Sequence, residues 1–192
     1  MAYFVFLEFT NPKLREVLSG LRFALSDKTS NTSTHVTIRG PYDEMPDIDT
    51  LESIREKIQG YGVAISGSGI FKTGNSYIVY LEVKSPVFSE IWWKPDYKNE
   101  RIIPHITIFE TSNEKSAKTV RKFFQQERIE IFTLAITLTV YKSKQIELFE
   151  ETLSKTDLDN RARFERWEIK PGLLERARKL RERILLEETN CG

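Results

Sequence analysis

Two short strings constrain this chain more than anything else in it. Its only two histidines stand in His35-Val36-Thr37-Ile38 and His105-Ile106-Thr107-Ile108. In a β-strand, residues two apart share a face. Each string therefore reads as a strand with imidazole and hydroxyl on one side and two aliphatics on the other. The aliphatic sides ask for a core, and the polar sides ask for a cleft. A fold that serves both strings must bury two separate strands on one face and leave the other face open.

The rest of the chain supplies helices and sheet for such a fold. Tyr3 to Phe9 is aromatic and β-branched, a strand. Pro12 to Leu25 has apolar residues at helical spacing behind Asn11 as N-cap. Asp27 to Thr34 is a polar loop, and His35 to Tyr42 is the first motif strand. Asp49 or Thr50 is expected to cap a helix running to about Gln59. Gly62 to Lys72 and Ser76 to Lys84 read as strands joined at Thr73-Gly74-Asn75. Val87 to Tyr97 reads as a short helix and then a loop. Arg101 to Glu110 is the second motif strand, and Asn113 to Glu127 a helix. Ile129 to Tyr141 and Gln145 to Leu153 read as a closing pair of strands.

This order predicts an α+β fold with helices packed on antiparallel sheets. The two motif strands occupy comparable places in the two parts of the chain, which points to a bilobed, pseudo-twofold body over residues 1–153. Residues 154–192 form a charged C-terminal helical extension. Within it Trp167 to Ile169 is a short strand or contact, and Pro171-Gly172 opens a helix to about Glu188. Leu173, Ala177, Leu180, Ile184 and Leu185 form its apolar stripe. That stripe is expected to dock on the domain or on a second subunit, giving a homo-oligomer.

With 192 residues the chain can bury a full core. A net charge of +1 gives no global field for nucleic acid or membrane, so anion binding must be local. The single cysteine, Cys191, excludes an internal disulfide and suits a reducing cytoplasm. No segment is long enough to span a bilayer, and the opening apolar run lacks a basic leader, reading as a strand. No His-x-x-x-His or Cys-x-x-Cys spacing points to a metal, and neither metal nor cofactor is expected.

The paired strings suit phosphate-ester chemistry. Cleaving a phosphodiester needs a base for the attacking hydroxyl and an acid for the leaving oxygen. Histidine serves as either near neutral pH. Threonine hydroxyls can donate to the non-bridging oxygens as charge grows on them. A lone His-x-Thr is ordinarily just a strand, whereas two that use both histidines are rare by chance.

On these residues the chain resembles the 2H phosphoesterase family, which includes RNA cyclic phosphodiesterases and the 2′–5′ RNA ligases. The strings Ser66-Gly67-Ser68-Gly69-Ile70-Phe71 and Ile78-Val79-Tyr80-Leu81-Glu82-Val83, and Pro104 before His105, fit it too. The resemblance covers roughly Met1 to Leu153. It implies a bilobed α+β fold, a metal-free acid–base mechanism and a catalytic set of His35, Thr37, His105 and Thr107. It also implies opening of a 2′,3′-cyclic phosphate on an RNA end or small nucleotide. A 2′-phosphate product would make His35 the acid and His105 the base. Hydrolysis of 2′–5′-linked or cyclic oligonucleotide messengers is the alternative within that chemistry. A nucleotide- or RNA-binding module without turnover is the alternative outside it.

Four flanking residues are expected to bind substrate. Strand alternation carries the motif face on to Arg39, as a phosphate clamp, and to Phe109, as a base-stacking ring. Tyr42 is a second stacking candidate. In Ile91-Trp92-Trp93-Lys94-Pro95-Asp96-Tyr97, one tryptophan, Trp93, is expected to face the cleft. For the aromatics, core packing is the competing role.

Overall fold

The computed structural model describes residues 2–26, 34–58, 61–91, 103–134, 136–142, 145–146 and 166–189. Nine strands form two antiparallel sheets among these residues, with five helices around them. The strands are β1 (Tyr3–Phe9), β2 (His35–Tyr42), β3 (Val63–Thr73), β4 (Ser76–Lys84), β5 (His105–Thr111), β6 (Glu130–Thr133), β7 (Ile136–Lys142), β8 (Gln145–Ile146) and β9 (Arg166–Glu168). The helices are α1 (Pro12–Leu25), α2 (Ile48–Ile58), α3 (Phe88–Ile91), α4 (Glu114–Glu127) and α5 (Leu173–Thr189). One sheet has the order β2-β1-β7-β8 and the other β5-β4-β3-β6-β9. The fold is α+β, as the sequence pattern predicts.

Both motif strands are edge strands. In each sheet the motif strand pairs with one partner, β1 for β2 and β4 for β5. The registers match residue for residue. His35, Val36 and Thr37 lie opposite Glu8, Leu7 and Phe6. His105, Ile106 and Thr107 lie opposite Glu82, Leu81 and Tyr80. Each ladder then slips by one residue, so Arg39 faces Val5 and Phe109 faces Val79. A β-bulge thus follows the threonine in both motif strands, at Ile38 and at Ile108. Bulges bend a strand and re-aim the side chains beyond them.

The third strand of each motif sheet comes from the other part of the chain. β3 follows β2 in sequence but pairs with β4, and β7 follows β5 but pairs with β1. The sequence reading of one strand from Ile129 to Tyr141 is corrected here. β6 stays beside β3 and β7 crosses to β1, with Ile136 N–H bonded back to the Leu134 carbonyl at 3.0 Å.

Helix starts follow their caps. Asn11 Oδ1 accepts from Lys13 and Leu14 N–H, and Asn113 Oδ1 from Lys115 and Ser116 N–H. For α2 the cap is Asp47 and neither Asp49 nor Thr50. Its carboxylate accepts from Thr50 N–H at 2.7 Å, and its carbonyl takes the first helical bond from Leu51. β5 begins at His105 and includes neither Ile103 nor Pro104, since Pro104 has no N–H to give a ladder. Residues 101 and 102 lie outside the described residues, as does Leu153.

One apolar cluster joins both sheets to the helices. It includes Leu7, Val36 and Ile38 from the first sheet, Leu81, Ile106 and Ile108 from the second, and Leu14, Leu18 and Leu21 of α1. The apolar stripe of α5 is spent on this same body. Leu173, Ala177, Leu180 and Ile184 are all buried, with α5 packed along α1 and touching α4. Arg176 forks onto buried Glu127 at 2.9 and 2.7 Å, and β9 extends the second sheet beside β6. Of the stripe only Leu185 stays exposed, so the stripe docks on the domain, the first of the two expected partners. No helix among the described residues is long and apolar enough to cross a membrane.

Candidate active site

His35, Thr37, His105 and Thr107 line one cavity of about 350 Å³. Among the described residues, Thr34, Arg22, Phe71, Thr73, Ile78, Ile106 and Glu110 line it as well. The two strings that lie far apart in sequence therefore meet, because β2 and β5 are the neighbouring edges of the two sheets. Strand alternation does the local work. Val36, Ile38, Ile106 and Ile108 are fully buried, while the two histidines and two threonines are half-buried on the cavity side. Among the described residues no group engages the side-chain hydroxyl of Thr37 or Thr107.

Aromatic rings back each imidazole. The His35 ring lies flat on Phe6, with centroids 3.8 Å apart and planes at 12°, and Phe6 stacks in turn on Tyr141. His105 meets Tyr80 at 5.1 Å and Phe71 at 5.2 Å, the latter edge-on. Phe6 and Tyr80 occupy equivalent register positions, and so do Tyr141 and Phe71. Tyr80 needs Gly69 for this. A Cβ there would sit 2.2 Å from the tyrosine ring.

The tautomer of His105 follows from its neighbours. Its Nδ1 lies 2.6 Å from the Ile103 carbonyl oxygen, which can only accept. Nδ1 therefore carries the proton, and the lone pair of the neutral ring sits on Nε2. Burial pushes the His105 pKa below its ordinary 6.5, and the Ile103 hydrogen bond only partly opposes that. At neutral pH this imidazole is an uncharged proton acceptor.

The four expected flanking residues fare differently. Arg39 donates to the Tyr42 hydroxyl at 2.9 Å and to the Ile91 carbonyl at 3.1 Å, and neither Arg39 nor Tyr42 lines the cavity. Phe109 is only 3% exposed and packs in the core, with the Arg181 guanidinium 5.9 Å over its ring. The expectation that Arg39 and Phe109 continue the motif face is overturned, and one cause serves for both. The bulges at Ile38 and Ile108 break the two-residue alternation, turning the next side chain off the cavity face. Trp93 lies outside the described residues.

Two further charged residues line the cavity, and strict alternation hides the first of them. Past the bulge, Glu110 takes the cavity side that Phe109 vacates. Arg22 reaches the cavity from α1, its guanidinium partly desolvated by burial and subject to the field of Glu110. No local motif flags either one. Among the described residues, no group of three or more His, Cys, Asp or Glu side chains is placed to hold a metal ion.

Compared with known families, the chain matches no family model, and no curated protein matches it in sequence.

Proposed function

We propose that the chain is a phosphodiesterase that opens 2′,3′-cyclic phosphates on an RNA end or a small nucleotide, by two-histidine acid–base catalysis without metal. The observation that carries this reading is the meeting of both histidines and both motif threonines in one cavity. About 350 Å³ is at the small end of the usual range for ligand pockets. It suits one nucleotide end better than a buried oligonucleotide. The resemblance to the 2H phosphoesterases supports the same chemistry.

In this reading His105 is the base. Its neutral Nε2 takes a proton from water as the water oxygen bonds to phosphorus. The P–O3′ bond breaks, and His35 gives its proton to the leaving O3′, leaving a 2′-phosphate. Thr37 and Thr107 donate to the non-bridging oxygens, whose charge grows in the transition state. The single cysteine and near-zero net charge suit a cytoplasmic enzyme.

Turnover of a 2′,3′-cyclic nucleotide in excess EDTA tests the proposal. The expected result is activity that survives the chelator and disappears when His35→Ala and His105→Ala are combined. Activity abolished by EDTA, or untouched by the double substitution, overturns it.

A further inference from the structure

The cavity is not symmetric, and its asymmetry has the chemistry of a nucleobase. The two His-Thr pairs are related by the pseudo-twofold, so a reacting phosphate between them is shared evenly. Arg22, Glu110, Thr73, Phe71 and Ile78 line the cavity as well, and among the described lining residues no second guanidinium–carboxylate pair joins them. The register position equivalent to Glu110 is Gly40, where a Cβ would stand 2.7 Å from the Tyr3 carbonyl oxygen. One half thus offers a carboxylate where the other offers bare backbone.

Glu110 lies three residues beyond Thr107, about 10 Å along the strand. Arg22 is one helical turn from Ser19, whose hydroxyl contacts that of Thr34 at 3.1 Å. It therefore stands between the start of β2 and the end of β5. The field of Glu110 reaches Arg22, yet among the described residues no ion pair joins the two. A guanidinium fork, which only donates, and a carboxylate, which only accepts, are thus held apart beside an aromatic ring and an aliphatic wall. Together their charge is close to zero, so a second phosphate gains little there. A flat, neutral ring with acceptors on one edge and donors on the next gains from both.

We infer that Arg22 and Glu110 read the base of the substrate, with Phe71 and Ile78 as its apolar walls, and that they select guanine. Guanine presents O6 and N7 to an arginine fork, and N1–H and the 2-amino group to a carboxylate. Cytosine, with one amino group and one carbonyl, ranks second. Adenine lacks the carbonyl and uracil lacks the amino group. This inference rests on the proposed reading of the cavity as a nucleotide site.

The test uses the full chain and the 2′,3′-cyclic monophosphates of guanosine, cytidine, adenosine and uridine. In parallel, calorimetry measures binding of the four nucleoside 2′-monophosphates. Guanosine is expected to lead uridine by about tenfold or more in kcat/KM. Glu110→Gln and Arg22→Lys should each shrink that ratio by about tenfold, chiefly through KM. The lysine keeps the charge and loses the fork, so a phosphate role for Arg22 would survive it and a base role would not. Equal turnover of all four, or variants that slow all four alike through kcat, overturns the inference. If guanosine 2′-monophosphate binds selectively and nothing is turned over, base selection stands and the phosphodiesterase reading fails. Folding of each variant is checked by thermal unfolding, and Glu110 is exposed at the cavity, where the change to Gln keeps its size.

Discussion

The halves built around His35 and His105 share a backbone and differ in how they treat the imidazole. In both, an edge strand carries His-x-Thr against an aromatic-Leu-Glu partner, and a bulge follows the threonine. In the first, the ring lies flat on Phe6. In the second, Tyr80 and Phe71 meet the ring at steep angles, while the Ile103 carbonyl fixes its Nδ1 proton. The scaffold thus sets a stacked ring against one histidine and a tautomer-fixing carbonyl against the other. In the proposed mechanism the neutral Nε2 of His105 suits the base.

The largest expected effect tests whether the two roles are distinct. Either His35→Ala or His105→Ala should lower kcat by about 10²–10⁴-fold. Their residual pH profiles should differ. Since burial lowers the His105 pKa, kcat/KM should rise with pH through a value below 6.5. That ascending limb should persist in His35→Ala and vanish in His105→Ala. If both variants keep the same limb, the comparison collapses. The sign for stability is the same. Between the folded pKa and 6.5 the unfolded chain binds the proton more readily. Lowering the pH through that window therefore destabilises the fold, and urea denaturation of His105→Ala should lack that slope.

Next in size is Gly69→Ala, which drives a Cβ into the Tyr80 ring. A loss of about 1–3 kcal/mol is expected in urea denaturation, with a fall in activity as His105 loses its neighbour. The equivalent position in the first half is Thr139, opposite Phe6, where a side chain is already accommodated. Thr139→Ala should therefore cost less than Gly69→Ala, and the reverse order would remove the asymmetry.

Phe6→Leu should weaken the His35 stack by about 0.5–1.5 kcal/mol, a roughly twofold to twelvefold fall in kcat/KM. The smallest effect belongs to Arg39→Ala. Its guanidinium is committed to Tyr42 and Ile91, away from the cavity, so KM should hold within about twofold. A tenfold rise would restore Arg39 to the site.

Much of this was legible in sequence, because alternation is a local rule. The buried Val36, Ile38, Ile106 and Ile108 and the four cavity-facing partners follow from period two alone. The pseudo-twofold was also written in the chain, in Val5-Phe6-Leu7-Glu8 and Val79-Tyr80-Leu81-Glu82. Only the pairing shows that these two strings back the two motifs. The bulges left no such mark. An extra residue in one ladder is decided by the partner strand, so Arg39 and Phe109 look like cavity residues until the register is known. Arg22 was hidden for a different reason. On α1 it reads as one more polar helix position, and only tertiary packing brings that turn to the cavity.

The exchange of third strands sets what can be cut. Opening the chain at the Thr73-Gly74-Asn75 turn gives a first fragment with β1 and β2 for one sheet and β3 for the other. The second fragment keeps the rest, including the β7 that flanks β1. Neither piece owns a complete sheet, and each histidine would travel with a different piece. Catalysis from such fragments would require heterodimeric complementation, in which the cavity itself becomes the seam between two polypeptides.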